Sequence, residues 1–396
     1  MALSKIDVAN MVTGATPVAN GGTGQTTLAA AGLGKRPNKS PLIINGDMAV
    51  AQRATSATGK TTGAIYTVDR MKLLLDAQGT YTVAQESLTS GNAFANGFAN
   101  AWRVDCTTAD ASPGASDQLG LQYTFEGQDL QVFKKGTANA EKFTLAFWVK
   151  SNKTGTGNIQ LKDKDNSNRQ CTQSYTISSA DTWEHKVCVF GADTTGAFGD
   201  DNAKSLIINW YLGSGTDSSS GTANHGTWEA QDQTKVNDGG TLNINDNTNN
   251  DWAITGIQLE VGEFTSSTLP PFQHESFGDN LARCQRYFQN LAEGTEKPFA
   301  NGFFWEAQEF MAHAGLNAIM RAEPTLEYVT GSNYYSILRN GGTDQLDALV
   351  ISGSSSRSYI RYHLASGQGV ASDTKNRPGQ LMTANASSRI GVTAEL

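Results

Sequence analysis

The side chains able to do chemistry are dispersed along this chain. The five histidines, His185, His225, His274, His313 and His363, include no pair at the spacing that sets two imidazoles around one metal. Glycoside cleavage needs two carboxyl groups facing each other across a cleft. Glu126, Asp129, Glu184 and Glu229 are candidates, but in a chain with 38 acids such pairs arise by abundance, and they read as strand-edge or turn residues. Asp163, Asp165, Asp200 and Asp201 lie in oxygen-rich stretches of the kind calcium prefers, and they read as solvated turns. Gly21-Gly22-Thr23-Gly24 lacks the lysine and the strand–helix setting of a phosphate cradle. There is no G-x-S-x-G nucleophile elbow. The expectation is a protein without catalytic residues, cofactor or metal.

Aromatic residues carry more information. Flat amphipathic rings near Gly and Asn on loops are common in recognition surfaces, and sugars offer apolar ring faces to them. Trp228 ends the polar stretch Ala223-Asn224-His225-Gly226-Thr227, and Tyr334 and Tyr335 follow Gly331-Ser332-Asn333. These three are the candidate contacts for a glycan or host surface, with packing or oligomer contact as the alternative. Trp148, Trp210 and Trp252 fall within strand patterns and are expected in the core.

Strands must position these rings. Phe143, Leu145, Phe147 and Val149 alternate with Thr144, Ala146, Trp148 and Lys150. Leu206, Ile208, Trp210 and Leu212 repeat the pattern, as do Ile257, Leu259 and Val261. Period two is the mark of half-buried strands. Polar turn clusters separate them, notably 162–168 and 243–251. A jelly-roll-like antiparallel β-sandwich is expected over residues 37–272. Leu269-Pro270-Pro271-Phe272 breaks the pattern. A linking helix follows, with Ser276 and Asp279 at capping-box spacing and Leu281, Cys284 and Phe288 on one face. Tyr334–Leu338 and Ser358–Tyr362 then begin a smaller C-terminal β domain, completing 273–396. Residues 1–36 are small, Gly- and Thr-rich and unable to bury a core, so they form an extended leader that orders by winding around copies of itself or docking on a partner.

Composition agrees with a mainly β chain. Of 396 residues only 38% are hydrophobic and 17% charged, with 41 Gly, so neutral polar residues dominate and helices are disfavoured. The 16 Phe, 11 Tyr and 7 Trp still suffice for real cores. Net charge is −8 and no Lys/Arg run is present, which argues against a nucleic-acid partner. No window is long and apolar enough for membrane insertion, and the N-terminus lacks a signal-peptide core, so synthesis in a cytoplasm is expected. Cys106, Cys171, Cys188 and Cys284 form no C-x-x-C pair. Cys171 and Cys188 could face each other on neighbouring strands, but cytoplasmic synthesis makes buried free thiols the expectation.

Three segments resemble parts of bacteriophage tail-fibre-like proteins. Pro17-Val18-Ala19-Asn20-Gly21-Gly22-Thr23-Gly24-Gln25-Thr26-Thr27-Leu28 resembles a motif near the start of, or between, such modules. Ile44-Asn45-Gly46-Asp47-Met48-Ala49-Val50-Ala51-Gln52-Arg53, with Tyr66-Thr67-Val68-Asp69-Arg70, resembles the opening of their β-sandwich module. Ile254 to Gly262, Pro271 to Phe277 and Arg283 to Phe288 are similar to its closing signature, and Gly391 to Leu396 to such proteins' C-terminal ends. The resemblance implies a virion protein with a carbohydrate-binding-like sandwich, a homotrimer that joins tail or adaptor proteins through its N-terminus (Pro17, Asn20, Gly21, Gly22 and Gly24) and contacts host surface glycan. It implies no catalytic residues. A capsid-borne fibre or decoration protein shares these features, and a polysaccharide-degrading module is the rival from another class.

Overall fold

In a computed structural model, which describes residues 40–353 and 355–396, alternating apolar residues build two facing sheets. The leader 1–36, with Pro17, Asn20, Gly21, Gly22 and Gly24, lies outside the described residues. The sandwich strands are β1 (Ser56–Lys60), β2 (Gly63–Tyr66), β3 (Lys72–Asp76), β4 (Thr80–Ser87), β5 (Asn100–Thr108), β6 (Gln118–Glu126), β7 (Phe143–Ser151), β8 (Gly155–Asp163), β9 (Gln170–Ile177), β10 (Glu184–Phe190), β11 (Lys204–Ser214) and β12 (Asp251–Val261). One sheet has the order β1-β4-β5-β12-β7-β10 and the other β2-β3-β6-β11-β8-β9. All pairs are antiparallel. Phe143, Leu145, Phe147 and Val149 of β7 meet Leu206, Ile208, Trp210 and Leu212 of β11 in one core.

The outward face of the second sheet is not solvated, although its residues are polar. Gln122 Nε2 donates to Asn209 Oδ1 (2.9 Å), Asn209 Nδ2 to Gln160 Oε1 (3.0 Å), and Gln160 Nε2 to Gln170 Oε1 (2.9 Å). Gln170 Nε2 reaches Asp232 O of a crossing segment at 2.9 Å. Four strands are thus laced by a buried amide ladder in which each linking group has a partner, the condition under which buried polar groups are tolerated.

A short helix, α1 (Gly91–Ala95), lies between β4 and β5, and α2 (Phe277–Gln285) follows β12. Ser276 caps α2, its Oγ accepting from Asp279 N at 3.2 Å. The helix ends before Phe288, which instead opens the next strand and pairs with Thr393. Sheet pairing there overrides the apolar helical spacing. No helix among the described residues is long and apolar enough to cross a membrane.

The smaller C-terminal part holds β13 (Phe288–Glu293), β14 (Pro298–Glu306), β15 (Glu309–Gly315), β16 (Thr325–Tyr328), β17 (Tyr335–Arg339), β18 (Gly342–Leu346), β19 (Tyr359–Ala365), β20 (Pro378–Thr383) and β21 (Arg389–Thr393). They form sheets β13-β21-β16 and β18-β17-β20-β14-β15-β19 around a core that includes Phe304, Phe310, Ile337, Tyr362 and Leu381.

The segments that carry the tail-fibre resemblance meet where the two parts join. Gln52 Nε2 donates to Phe288 O (2.8 Å), Asn280 Nδ2 to Asp47 Oδ1 (3.1 Å), and the Arg53 guanidinium lies 3.8 Å from the Phe288 ring centroid. Arg70 sits 3.5 Å from the Tyr287 ring centroid and pairs with Glu395. Arg286 forks onto Glu126 at 2.7 and 2.6 Å. These residues hold the architecture together.

Candidate functional site

The most developed groove lies on the outer face of the first sheet. In β7, Phe147 and Val149 point into the core, so Trp148 points out. Its cross-strand partner on β10 is His185, and their rings lean together with centroids 4.9 Å apart at 33°. The neighbouring β12 carries a bulge between Thr255 and Gln258. Gly256 sits in it at φ +61°, and a Cβ there would come within 2.6 Å of the Phe98 ring. Glycine therefore both permits the left-handed backbone and lets Phe98 lie on the sheet.

The opposite wall comes from the chain after β12. Phe98 meets Phe272 edge-on (4.9 Å) and His274 (5.3 Å), and Phe272 meets His274 at 4.8 Å. The two prolines stiffen this segment, and Gln258 Nε2 donates to Pro270 O at 3.0 Å, tying it to the sheet. Between the walls is a cavity of ≈ 440 Å³ into which Asn96 and Gln258 also face. That is within the usual size of small-ligand sites.

Among the described residues no carboxylate, ammonium or guanidinium lines the groove; its polar groups are amides, a hydroxyl and imidazoles. His185 stays exposed at the groove's edge, and partial desolvation lowers its pKa. The half-buried rings of Trp148 and Phe272 beside neutral hydrogen-bonding groups match the chemistry of a pyranose, which has apolar C–H faces and a hydroxyl rim. Among the described residues no three His, Cys, Asp or Glu side chains converge on a metal position.

Two of the three loop aromatics singled out from sequence are corrected by the structure. Trp228 is only 7% exposed; its Nε1 donates to Gly191 O (2.8 Å) and its ring lies by Phe143. Tyr335 is fully buried, its hydroxyl within 2.8 Å of Val329 O and 2.7 Å of Arg389 O. Each has its polar tip satisfied inside, so neither presents a ring to a ligand. Tyr334 is half-buried and packs on Gly331, remote in the fold from the groove. Trp210 and Trp252 are core residues, but Trp148, also expected there, is half-buried on the outer face. The alternation of β7 already placed it opposite Phe147.

The acids are structural as well. Asp163, in the stretch read as a solvated turn, is fully buried, and Lys135 Nζ reaches its Oδ2 at 2.5 Å and Asp193 Oδ2 at 3.1 Å. An ammonium supplied by the chain sits among these oxygens. Glu126 is sealed beneath Arg286 and Tyr287, and Glu229 pairs with Lys235 at 2.8 Å. His225 faces Asp238 (3.6 Å) and His363 faces Glu309 (3.3 Å), while His313 lies diagonally across from His363 on the outer face of the β15–β19 pair. All four cysteines are buried thiols, and burial pushes Cys171 and Cys188, which sit in different sheets, up to about 12.

No protein-family model and no curated protein sequence matches the chain. Among solved structures, it is similar to the enzymatically active domain of tailspike protein 4 from bacteriophage CBA120, at 13% identity and TM-score 0.27, over 48% of this chain and 19% of that one. The C-terminal family 22 carbohydrate-binding module of a Clostridium thermocellum protein is similar at 12% identity and TM-score 0.27, over 50% and 87% of the two chains. A xylan-binding domain from Paenibacillus barcinonensis is similar at 11% identity and TM-score 0.25, over 55% and 99%.

Proposed function

We propose that this chain is a virion structural protein of the tail-fibre kind whose sandwich binds host surface glycan in the Trp148–His185 groove. The observation that carries the binding half is the groove itself: aromatic walls, neutral hydrogen-bonding groups between them and a volume suited to sugar rings. The virion half is supported by the segments resembling tail-fibre modules, and it includes assembly as a homotrimer attached through residues 1–36. Binding proceeds without cleavage in this reading, which is supported by the lack of a carboxyl group among the described residues lining the groove. Each site can be weak, since three chains per fibre raise the effective concentration at a cell surface.

The test is a glycan array with the full chain and Trp148→Ala. Signal on host-derived glycans that the variant loses supports the reading, and background signal for both rejects it. Release of reducing ends from host polysaccharide would reject the non-catalytic part. For the virion role, a chain lacking residues 1–36 is expected to stay folded and trimeric by light scattering but to be missing from particles. Normal incorporation rejects attachment through that segment, and cryo-microscopy of particles separates a tail position from a capsid one.

A further inference from the structure

The groove's lining specifies more than a sugar. Asn96, Gln258, Ser266, His185 and His274 are its polar groups. Among the described residues, the basic side chains nearby on this sheet and its edge each face a carboxylate. Lys150 faces Glu86 at 3.7 Å, Arg103 faces Glu86 (3.3 Å) and Asp251 (3.2 Å), Lys142 pairs with Glu263 (2.5 Å), and Lys186 with Glu184 (2.5 Å). An anionic sugar entering between the rings would give up water around its carboxylate or phosphate and meet no Lys or Arg among the described residues that line the groove. Burying an uncompensated charge in this way is strongly unfavourable. The chain's net charge of −8 adds a long-range repulsion of polyanions. A neutral pyranose meets neither obstacle. Its C–H face covers Trp148 or Phe272, and its hydroxyls, or the acetamido group of an amino sugar, bond to the amides and imidazoles.

Resting on the glycan-binding reading, we infer that the groove takes uncharged pyranose units, neutral hexose or N-acetylhexosamine, and rejects glycans carrying carboxylate or phosphate at the bound unit. The ligand class follows from what the walls lack as much as from what they hold.

Calorimetric titration of the full chain separates the possibilities. Cellohexaose, mannohexaose and chitohexaose are the neutral probes; hexagalacturonate and sialyllactose are the acidic ones. At least one neutral probe is expected to bind, with about a tenfold or greater loss in Trp148→Ala, while the acidic probes stay silent. Asn96→Lys, an exposed substitution that leaves the sheet intact, is expected to admit the acidic probes. Acidic probes bound by the native chain and lost in Trp148→Ala would overturn the neutral-sugar inference while leaving glycan binding in place. Binding unaffected by Trp148→Ala would overturn this groove as the site. Silence from every probe, with the fold verified by circular dichroism, would overturn both.

Discussion

Lys135 and Asp163 meet with both side chains sealed from solvent, Nζ 2.5 Å from Oδ2. The ammonium is completed by Asp193 Oδ2 (3.1 Å), Thr195 O (2.9 Å) and Gly196 O (2.8 Å), and it lies 5.1 Å from the Trp228 ring centroid. One cation therefore organises the end of β8, the 193–198 turn and the Trp228 segment.

Lys135→Met keeps the stem and removes the charge, leaving Asp163 buried without its counterion, while Asp193 keeps Arg169 at 3.1 Å. Breaking such a group costs about 3–5 kcal/mol. Urea denaturation should show a loss of this order, and a loss under about 1 kcal/mol would mean that the pair is not stabilising the fold.

Arg70 and Glu395 make the corresponding link between the sandwich and the C-terminal part, with side chains 2% and 10% exposed. In Glu395→Gln, Arg70 keeps Thr124 O (2.5 Å) and the Tyr287 ring, so the loss should fall near the lower end, about 3 kcal/mol. Because the contact joins two separate cores, scanning calorimetry is expected to show the transition broadening or splitting. A single transition at the native temperature would rule out a coupling role.

Asp69 gives stability a pH dependence opposite to that of most carboxylates. Burial pushes its carboxyl up to about 6, against the hydrogen bond from Gln52 N (2.8 Å) and a second from the Gln52 amide. Between about pH 4 and 6 the folded chain holds a proton that the unfolded chain has released. This group's contribution therefore falls as pH rises through that window, by at most ~3 kcal/mol. Asp69→Asn should flatten that part of the stability–pH profile, measured as urea midpoints at pH 4, 5, 6 and 7. An unchanged slope would mean that Asp69 does not titrate there.

Gly256→Ala probes the groove's floor. The substitution strains a backbone at φ +61° and drives a Cβ into the Phe98 ring. A stability loss of about 1–3 kcal/mol is expected, together with weakened ligand binding as Phe98 and its neighbours Phe272 and His274 shift. Binding at native strength would show that this wall does not shape the site.

Much of the architecture was legible beforehand. The strands containing 143–149, 206–212 and 257–261 follow from period-two alternation, and the N-terminus of α2 from the Ser276/Asp279 pair. Where the reading slipped, a non-local partner decided. Phe288 has helical spacing from Leu281 and Cys284, yet it pairs with Thr393 across a sheet. The amides of β6, β8, β9 and β11 hydrogen-bond to one another beneath a crossing segment, a cover that alternation does not signal.

The candidate site divides the same way. Loop context pointed to Trp228 and Tyr335, but a Gly-rich neighbourhood does not reveal whether a backbone carbonyl elsewhere will satisfy an indole or a phenol inside. Trp148, expected in the core, stands on the outward face of β7, the face its alternation with Phe147 and Val149 implies. That it stands beside His185, and across from a wall of Phe98, Phe272 and His274, depends on strand order, on a bulge at Gly256 and on how the Pro270-Pro271 segment folds back. Sequence by itself determined β class and the alternation of two faces along each strand, because these are local consequences of side-chain spacing. Tertiary structure alone decided which outward residues are covered and which converge, because burial and proximity are set by contacts between residues tens to hundreds of positions apart.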